Sequence, residues 1–142
     1  MTGSSAAPAG RQDERPLVLL VEDHADTRQM YAEFLGSTFR MREAADGNEA
    51  LASVRANPPD VLVTDLSLPG IDGFELMALM RADPALRSIP IVCLSGYGGQ
   101  AHDDRARAAG CTRILQKPCL PDALADVVAE VLRECRDGSA AP

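Results

Sequence analysis

The stretch that most constrains this chain is Val61-Leu-Val-Thr-Asp65. An apolar run breaks off on a carboxylate, and a turn signature follows at once: Pro69, Gly70, then Asp72-Gly73. A continuous short apolar run bounded by turn residues reads as a strand buried on both faces. Such strands belong to parallel sheets covered by helices, and ligands bind at the carboxyl edge of those sheets. Asp65 is therefore the candidate reacting residue, and the other segments matter for what they bring to it.

Three further runs have a similar design. Leu17–Val21 ends on Glu22 and Asp23, Ile91–Leu94 ends on Ser95, and Thr112–Gln116 runs into Lys117-Pro118. Phe39–Glu43 instead alternates apolar with charged residues, the pattern of a half-exposed edge strand guarded by its charges. Helical patterns lie between and after the strands. The first spans Asp26–Leu35, with Met30, Tyr31, Phe34 and Leu35 as its inner stripe and Gly36 as its stop. The second, Asn48–Ala56, follows an Asp46-Gly47 turn and points Leu51 and Val54 inward. The third starts near Gly73, with Asp72 as N-cap and Glu75 three residues on; Phe74, Met77 and Met80 form its stripe, and Asp83-Pro84 breaks it. The fourth, Gln100–Ala109, is polar and Ala-rich with little apolar anchor. The fifth has Pro121 and Asp122 in its first turn and Leu124, Val127, Val128, Val131 and Leu132 at helical spacing. Five strand–helix alternations with right-handed crossovers predict an α/β fold. It is a doubly wound (βα)5 flavodoxin-like three-layer sandwich, its parallel sheet in the order 2-1-3-4-5.

At 142 residues the chain has room for one domain, expected over 16–136, with small polar tails at 1–15 and 137–142. A net charge of −7 without a Lys/Arg cluster argues against direct nucleic-acid binding, which needs a basic footprint. No apolar stretch approaches the roughly 18 residues of a membrane span. No signal peptide is evident, so the expected location is cytoplasmic, with reduced thiols. The cysteines (Cys93, Cys111, Cys119 and Cys135) lack C-x-x-C spacing and do not read as a zinc site; Cys93 reads as core.

The topology brings the strand ends to one sheet edge: Glu22, Asp23 and Asp65, the Ser95 hydroxyl and the Lys117 ammonium. Two carboxylates 4 Å apart repel by about 4 kcal/mol at an effective dielectric of 20. One lysine does not offset three, so either a carboxyl pKa rises or a hard cation sits among them. An oxygen-ligand set with an unfinished shell suits Mg²⁺. Mg²⁺ and Lys117 then stabilise a transferring phosphoryl group, Ser95 contacts one of its oxygens, and Asp65 is the nucleophile that forms an acyl phosphate.

The set Val21-Glu22-Asp23, Asp65 with Pro69-Gly70-x-Asp72-Gly73, Ser95-Gly96 and Lys117-Pro118 resembles the receiver domain of two-component response regulators, over about residues 16 to 135. The resemblance implies phosphorylation of Asp65 by a phosphohistidine of a histidine kinase or histidine phosphotransfer protein. It implies Mg²⁺ held by Asp23, Asp65 and the Ser67 backbone carbonyl, with Glu22 helping through water. Ser95 and Lys117 would contact the phosphoryl group, and the Lys117–Pro118 peptide would be cis. A downstream protein partner would meet the face formed by helix four, strand five and helix five. The chain stops soon after helix five, so the expectation is a single-domain receiver that signals by binding. Its only chemistry would be phosphotransfer to itself and autodephosphorylation, not enzymatic turnover.

Two departures accompany the resemblance. The switch position three residues before Lys117, usually aromatic in the family, is Ile114, and Tyr97 is the candidate substitute. No output domain is expected after helix five. The competing readings are a phosphorylation-independent docking module, a receiver from a hybrid kinase, and a Mg²⁺-dependent aspartyl-phosphate phosphatase. The last is disfavoured because Ser67 stands where such enzymes carry a second Asp. His24 is expected at the rim of the site rather than as a phosphate carrier, and His102 on the solvent side of helix four.

Overall fold

The computed structural model describes residues 14–96 and 99–137. In it, β1 (Leu17–Val21), β2 (Arg40–Ala44), β3 (Val61–Asp65), β4 (Ile91–Ser95) and β5 (Arg113–Gln116) alternate with helices. These are α1 (Ala25–Leu35), α2 (Gly47–Ala56), α3 (Gly73–Ala82), α4 (Gly99–Ala108) and α5 (Pro121–Asp137). The strands form one sheet in the order β2-β1-β3-β4-β5, with every pair parallel. This is the architecture expected from the alternation of patterns.

Side-chain alternation splits the apolar strands between two layers. Leu19, Val21, Leu62, Ile91 and Cys93 pack with Val54 of α2 and Met77 and Met80 of α3. Val18, Leu20, Val61, Val63, Val92 and Leu94 face the other way, onto Tyr31 and Leu35 of α1 and Leu124, Val128 and Val131 of α5. β1, β3 and β4 are buried along their whole lengths, as continuous apolar runs require. Edge strand β2 is mostly half-buried.

Several local expectations need correction. Element ends move by about a residue, and Gly47 is the first residue of α2 rather than part of a preceding turn. Asp46 caps that helix by accepting the Glu49 N–H, and the Glu49 carboxylate reaches back to the Ala45 N–H. The α1 stripe is half as wide as predicted. Tyr31 and Leu35 are buried, while Met30 and Phe34 are 42% and 47% exposed. Each exposed residue precedes a buried one, and one helical step turns the side chain by about 100°, off the sheet. In α5, Val127 and Leu132 are only half-buried. Arg15 belongs to the folded part: its guanidinium donates to the Gly36 carbonyl, and its own carbonyl accepts from Arg40. At the other end α5 continues through Asp137. Residues 1–13 and 138–142 of the predicted tails, and Tyr97, lie outside the described residues. No helix among those described is long and apolar enough to cross a membrane.

Two glycines set how closely the segment after Asp65 packs. A Cβ on Gly47 would lie 2.0 Å from the Ile71 carbonyl oxygen, and one on Gly73 would lie 2.6 Å from that of Asp65. Both contacts are with backbone, which cannot rotate away. Gly47→Ala and Gly73→Ala are each expected to destabilise the fold by about 1–3 kcal/mol, the range for overpacking. Urea unfolding checks this: the midpoint should fall at unchanged slope. A midpoint equal to that of the parent would show that the loop yields.

Candidate functional site

β1 and β3 lie side by side, and each terminates on a carboxylate at the same edge of the sheet. Glu22 is fully buried and Asp65 is 5% exposed. The residue after β5 is Lys117, held by a hydrogen bond from its backbone N–H to the Ser95 carbonyl. Its ammonium reaches across the edge to Asp65 Oδ2 at 2.5 Å and to Glu22 Oε1 at 3.1 Å. The other Asp65 oxygen, Oδ1, accepts the Ser67 backbone N–H at 3.1 Å. The Lys117–Pro118 peptide is cis.

Glu22 is the hub. Its Oε2 accepts the His24 backbone N–H at 3.0 Å and lies equally close to His24 Nδ1. The His24 ring also lies 3.4 Å from Asp23 Oδ1. Arg28 of α1 donates to the Glu22 backbone carbonyl. Burial works to raise the Glu22 pKa, but hydrogen bonds from His24 and Lys117 outweigh it, and the net shift is downward. Of the two ways to relieve crowded carboxylates, the raised pKa is therefore not the one taken at Glu22. Burial likewise opposes charge on Lys117, yet Asp65 and Glu22 raise its pKa overall. At the edge, Lys117 bridges two acids.

Ser95 is 1% exposed at the end of β4, one residue beyond the Leu94 that pairs with Asp65. Register brings it to the same edge. Asp23 and Ser67 line an open cleft of ≈ 560 Å³, walled also by Pro69, Asp72, Phe74, His102 and Arg105. The ligand atoms of Glu22, Asp23 and His24 lie within 4.8 Å of one another. Asp65 is not in that group, being drawn onto Lys117. The carboxylates beside the cleft are hard oxygen donors, and the cleft's openness leaves positions for water; both suit Mg²⁺.

His24 occupies the rim as expected, its side chain 73% exposed. His102 is half-buried on the cleft side of α4, not on its outer face. Its ring meets Phe74 edge-on, with centroids 5.2 Å apart, and the Arg105 guanidinium covers the same ring at 3.9 Å. His102 and Arg105 are three apart and share a helix face, so α4 lies over the mouth of the cleft on a ring from α3. The spacing was available in the sequence, but Phe74 read only as core. Arg28 was also missed; a cation in α1 six residues after Glu22 is its only trace. Ile114 is half-buried, packed on the α3 side of the sheet beside Cys93.

The family model described as the response regulator receiver domain matches residues 18–129. Response regulator PleD of Caulobacter vibrioides is 30% identical over 102 residues, covering 71% of this chain and 22% of PleD. The polar-differentiation response regulator DivK of Brucella anthropi is 28% identical over 102 residues, covering 71% of this chain and 83% of DivK. Among solved structures, a response regulator of Chloroflexus aurantiacus superposes with a TM-score of 0.80 at 33% identity, covering 84% of this chain and 99% of that one.

The His24 imidazole is held above its ordinary pKa, first by its hydrogen bond to Glu22 and then by the charges of Asp23 and Glu22. A raised folded-state value stabilises the fold below the unfolded imidazole pKa, about 6.5, and the contribution is lost as pH rises through the folded value. Without divalent cations, the chain is thus expected to melt above its His24→Gln variant below about pH 6.5, with the gap narrowing as pH rises through the folded-state value. Thermal scans across that range test this. A gap that stays constant or widens with pH would contradict the pairing.

Proposed function

Because the chain belongs to the response regulator receiver family, we propose that it accepts a phosphoryl group on Asp65 from a phosphohistidine. The donor is a histidine kinase or a histidine phosphotransfer protein, and the output is altered binding to a downstream protein. The observation that carries this reading is the placement of Asp65. A nearly buried carboxylate is anchored through one oxygen by Lys117 and through the other by the Ser67 N–H, beside a cleft.

The chemistry follows from those contacts. An Asp65 oxygen attacks phosphorus, a P–O bond forms, and the P–N bond of the donor breaks. The bonding pair leaves on the imidazole nitrogen, which then takes a proton from solvent. Lys117 already lies against the carboxylate that gains the phosphoryl group, so its charge is at hand to offset the added oxygens. The buried Ser95 hydroxyl at the same edge is suited to contact one of them. Asp23, Asp65 and the Ser67 carbonyl would hold Mg²⁺, with Glu22 acting through water. When bound, Mg²⁺ supplies further charge compensation for the phosphoryl oxygens. The chain acts here as phosphoacceptor and slow self-hydrolase rather than as an enzyme on external substrates. A cytoplasmic location is part of the same reading.

Partner specificity belongs to the face built by α4, β5 and α5. Ile114 at the switch position favours one alternative, a docking module whose binding ignores phosphorylation. The chain covers only 22% of PleD, so a role as one module of a longer signalling protein, a hybrid kinase included, is a third form of the same proposal.

Incubation with Mg²⁺ and acetyl phosphate, followed by intact-mass measurement, is expected to show one phosphoryl adduct that disappears in Asp65→Asn. Lys117→Ala should slow its formation by about 10²-fold or more, as for loss of a charge-stabilising donor. An adduct that persists in Asp65→Asn, or none in the parent chain, would overturn the assignment. Partner affinity unmoved by a beryllofluoride mimic would favour the docking module.

A further inference from the structure

His24 stands at the N-cap of α1, a position where a side-chain oxygen commonly accepts a helix N–H. Its backbone is extended there, and its side chain makes no cap hydrogen bond. The ring turns instead toward the end of β1. Nδ1 lies 3.0 Å from Glu22 Oε2 and 3.4 Å from Asp23 Oδ1. The first separation is a hydrogen-bond distance, and the second is beyond the usual range. One nitrogen thus faces oxygens of two side chains, and a proton on it serves only the nearer.

A divalent cation would serve both. Octahedral bonds of about 2.1 Å place adjacent donor atoms about 3.0 Å apart. The two nitrogen–oxygen separations already lie at or near that spacing. Ligand atoms of all three residues lie within 4.8 Å of one another. Glu22 is buried and held by Lys117 and the His24 backbone N–H, so it fixes the position. The side chains of Asp23 and His24 are 32% and 73% exposed and can close on an ion. Asp23 also lines the open cleft, where water can fill the remaining coordination positions.

We propose that His24 joins Asp23 as a ligand of the divalent cation at this edge, and that its nitrogen shifts the preference of the site from Mg²⁺ toward a first-row transition ion. The inference rests on the cation-binding part of the proposed function and not on phosphoryl transfer to Asp65. Carboxylate and carbonyl oxygens alone suit Mg²⁺, whereas imidazole favours Fe²⁺, Ni²⁺ and Zn²⁺; Co²⁺ stands between Fe²⁺ and Ni²⁺ in affinity. The ring binds in its neutral form through Nδ1 and keeps its proton on Nε2, and a proton carried on Nδ1 passes to solvent. The chain has two histidines. The other, His102, lines the same cleft with its ring packed edge-on against Phe74.

The test titrates the full chain with Mg²⁺ and with Co²⁺ in a calorimeter, with no phosphodonor present. Co²⁺ should bind more tightly than Mg²⁺. His24→Gln should weaken Co²⁺ by about tenfold or more, since losing even an outer partner costs about 10–100-fold, and should leave Mg²⁺ nearly unchanged. Asp23→Asn should weaken both ions. Proton NMR of the Co²⁺-loaded chain should show one exchangeable imidazole N–H shifted far from its normal position by the paramagnetic ion. That signal should vanish in His24→Gln and persist in His102→Gln, and either variant alone assigns it. Co²⁺ affinity unmoved by His24→Gln, an equal loss for both ions, or a shifted signal that follows His102 would overturn the proposal. If the parent chain bound neither ion, the cation site itself would fall and the inference with it, whether or not Asp65 takes a phosphoryl group.

Discussion

A single ammonium between two carboxylates holds the working edge of this molecule together. Lys117 touches Glu22, 95 residues away in sequence, and Asp65, 52 residues away. Neither contact is local, and both depend on parallel register. β1 and β3 must end level, and β5 must deliver its next residue to the same rim. Burial opposes charge on Glu22 and Lys117. Glu22 stays ionised because its lone pairs are engaged by two cationic or N–H donors, not because it is solvated. Removing one partner from such a set leaves the others uncompensated, and that loss exceeds the net worth of the pair. The apolar interior thus keeps the site fixed by making every alternative placement of these charges expensive.

Much of this was legible in the chain. Continuous apolar runs announced strands buried on both faces, and the polar residue ending each run located the sheet edge. The Asp72 cap was equally readable, since its carboxylate accepts the Glu75 N–H three residues on. What escaped depends on angles and contacts that a one-dimensional pattern does not resolve. Met30 and Phe34 have the same character as Tyr31 and Leu35, but α1 covers the sheet with one narrow strip. Gly47 looked like turn chemistry because Asp-Gly pairs often are. Its reason lies 24 residues ahead, in the Ile71 carbonyl that leaves no room for a side chain. The pairing of His24 with Glu22 was partly visible as adjacency, but its effect on the acid is not, because that requires the hydrogen-bond geometry.

The helices differ in how they are fastened. α5 buries Leu124, Val128 and Val131 completely, each worth about 1.5–3 kcal/mol of apolar transfer. α4 buries only Ala106 among its described residues. Its remaining hold includes His102 and Arg105 on the Phe74 ring, and a cation–ring contact made by an exposed side chain such as Arg105 contributes about 0.5–1 kcal/mol. The helix nearest the cleft is therefore the one with least apolar anchorage. Phe74 follows directly on Gly73, whose close approach to the Asp65 carbonyl ties the start of α3 to the end of β3. Gly73 and Phe74 thus stand between the Asp65 strand end and α4.

The contact of Cys93 with Met77 bears on the same strand. Cys93 and Ser95 are two residues apart in β4, so their side chains project from the same side of the sheet. Ser95 sits at the edge with Asp65, and Cys93 lies below it among Met77, Cys111 and the core. β4 is buried along its whole length and paired on both sides, so it has little freedom to bend between the two positions. Beside Cys93 on that layer packs Cys111, in the turn ahead of β5. That turn leads directly into β5 and so to Lys117. The oxygen-lined edge and the core beneath it are thus joined through β4 and β5.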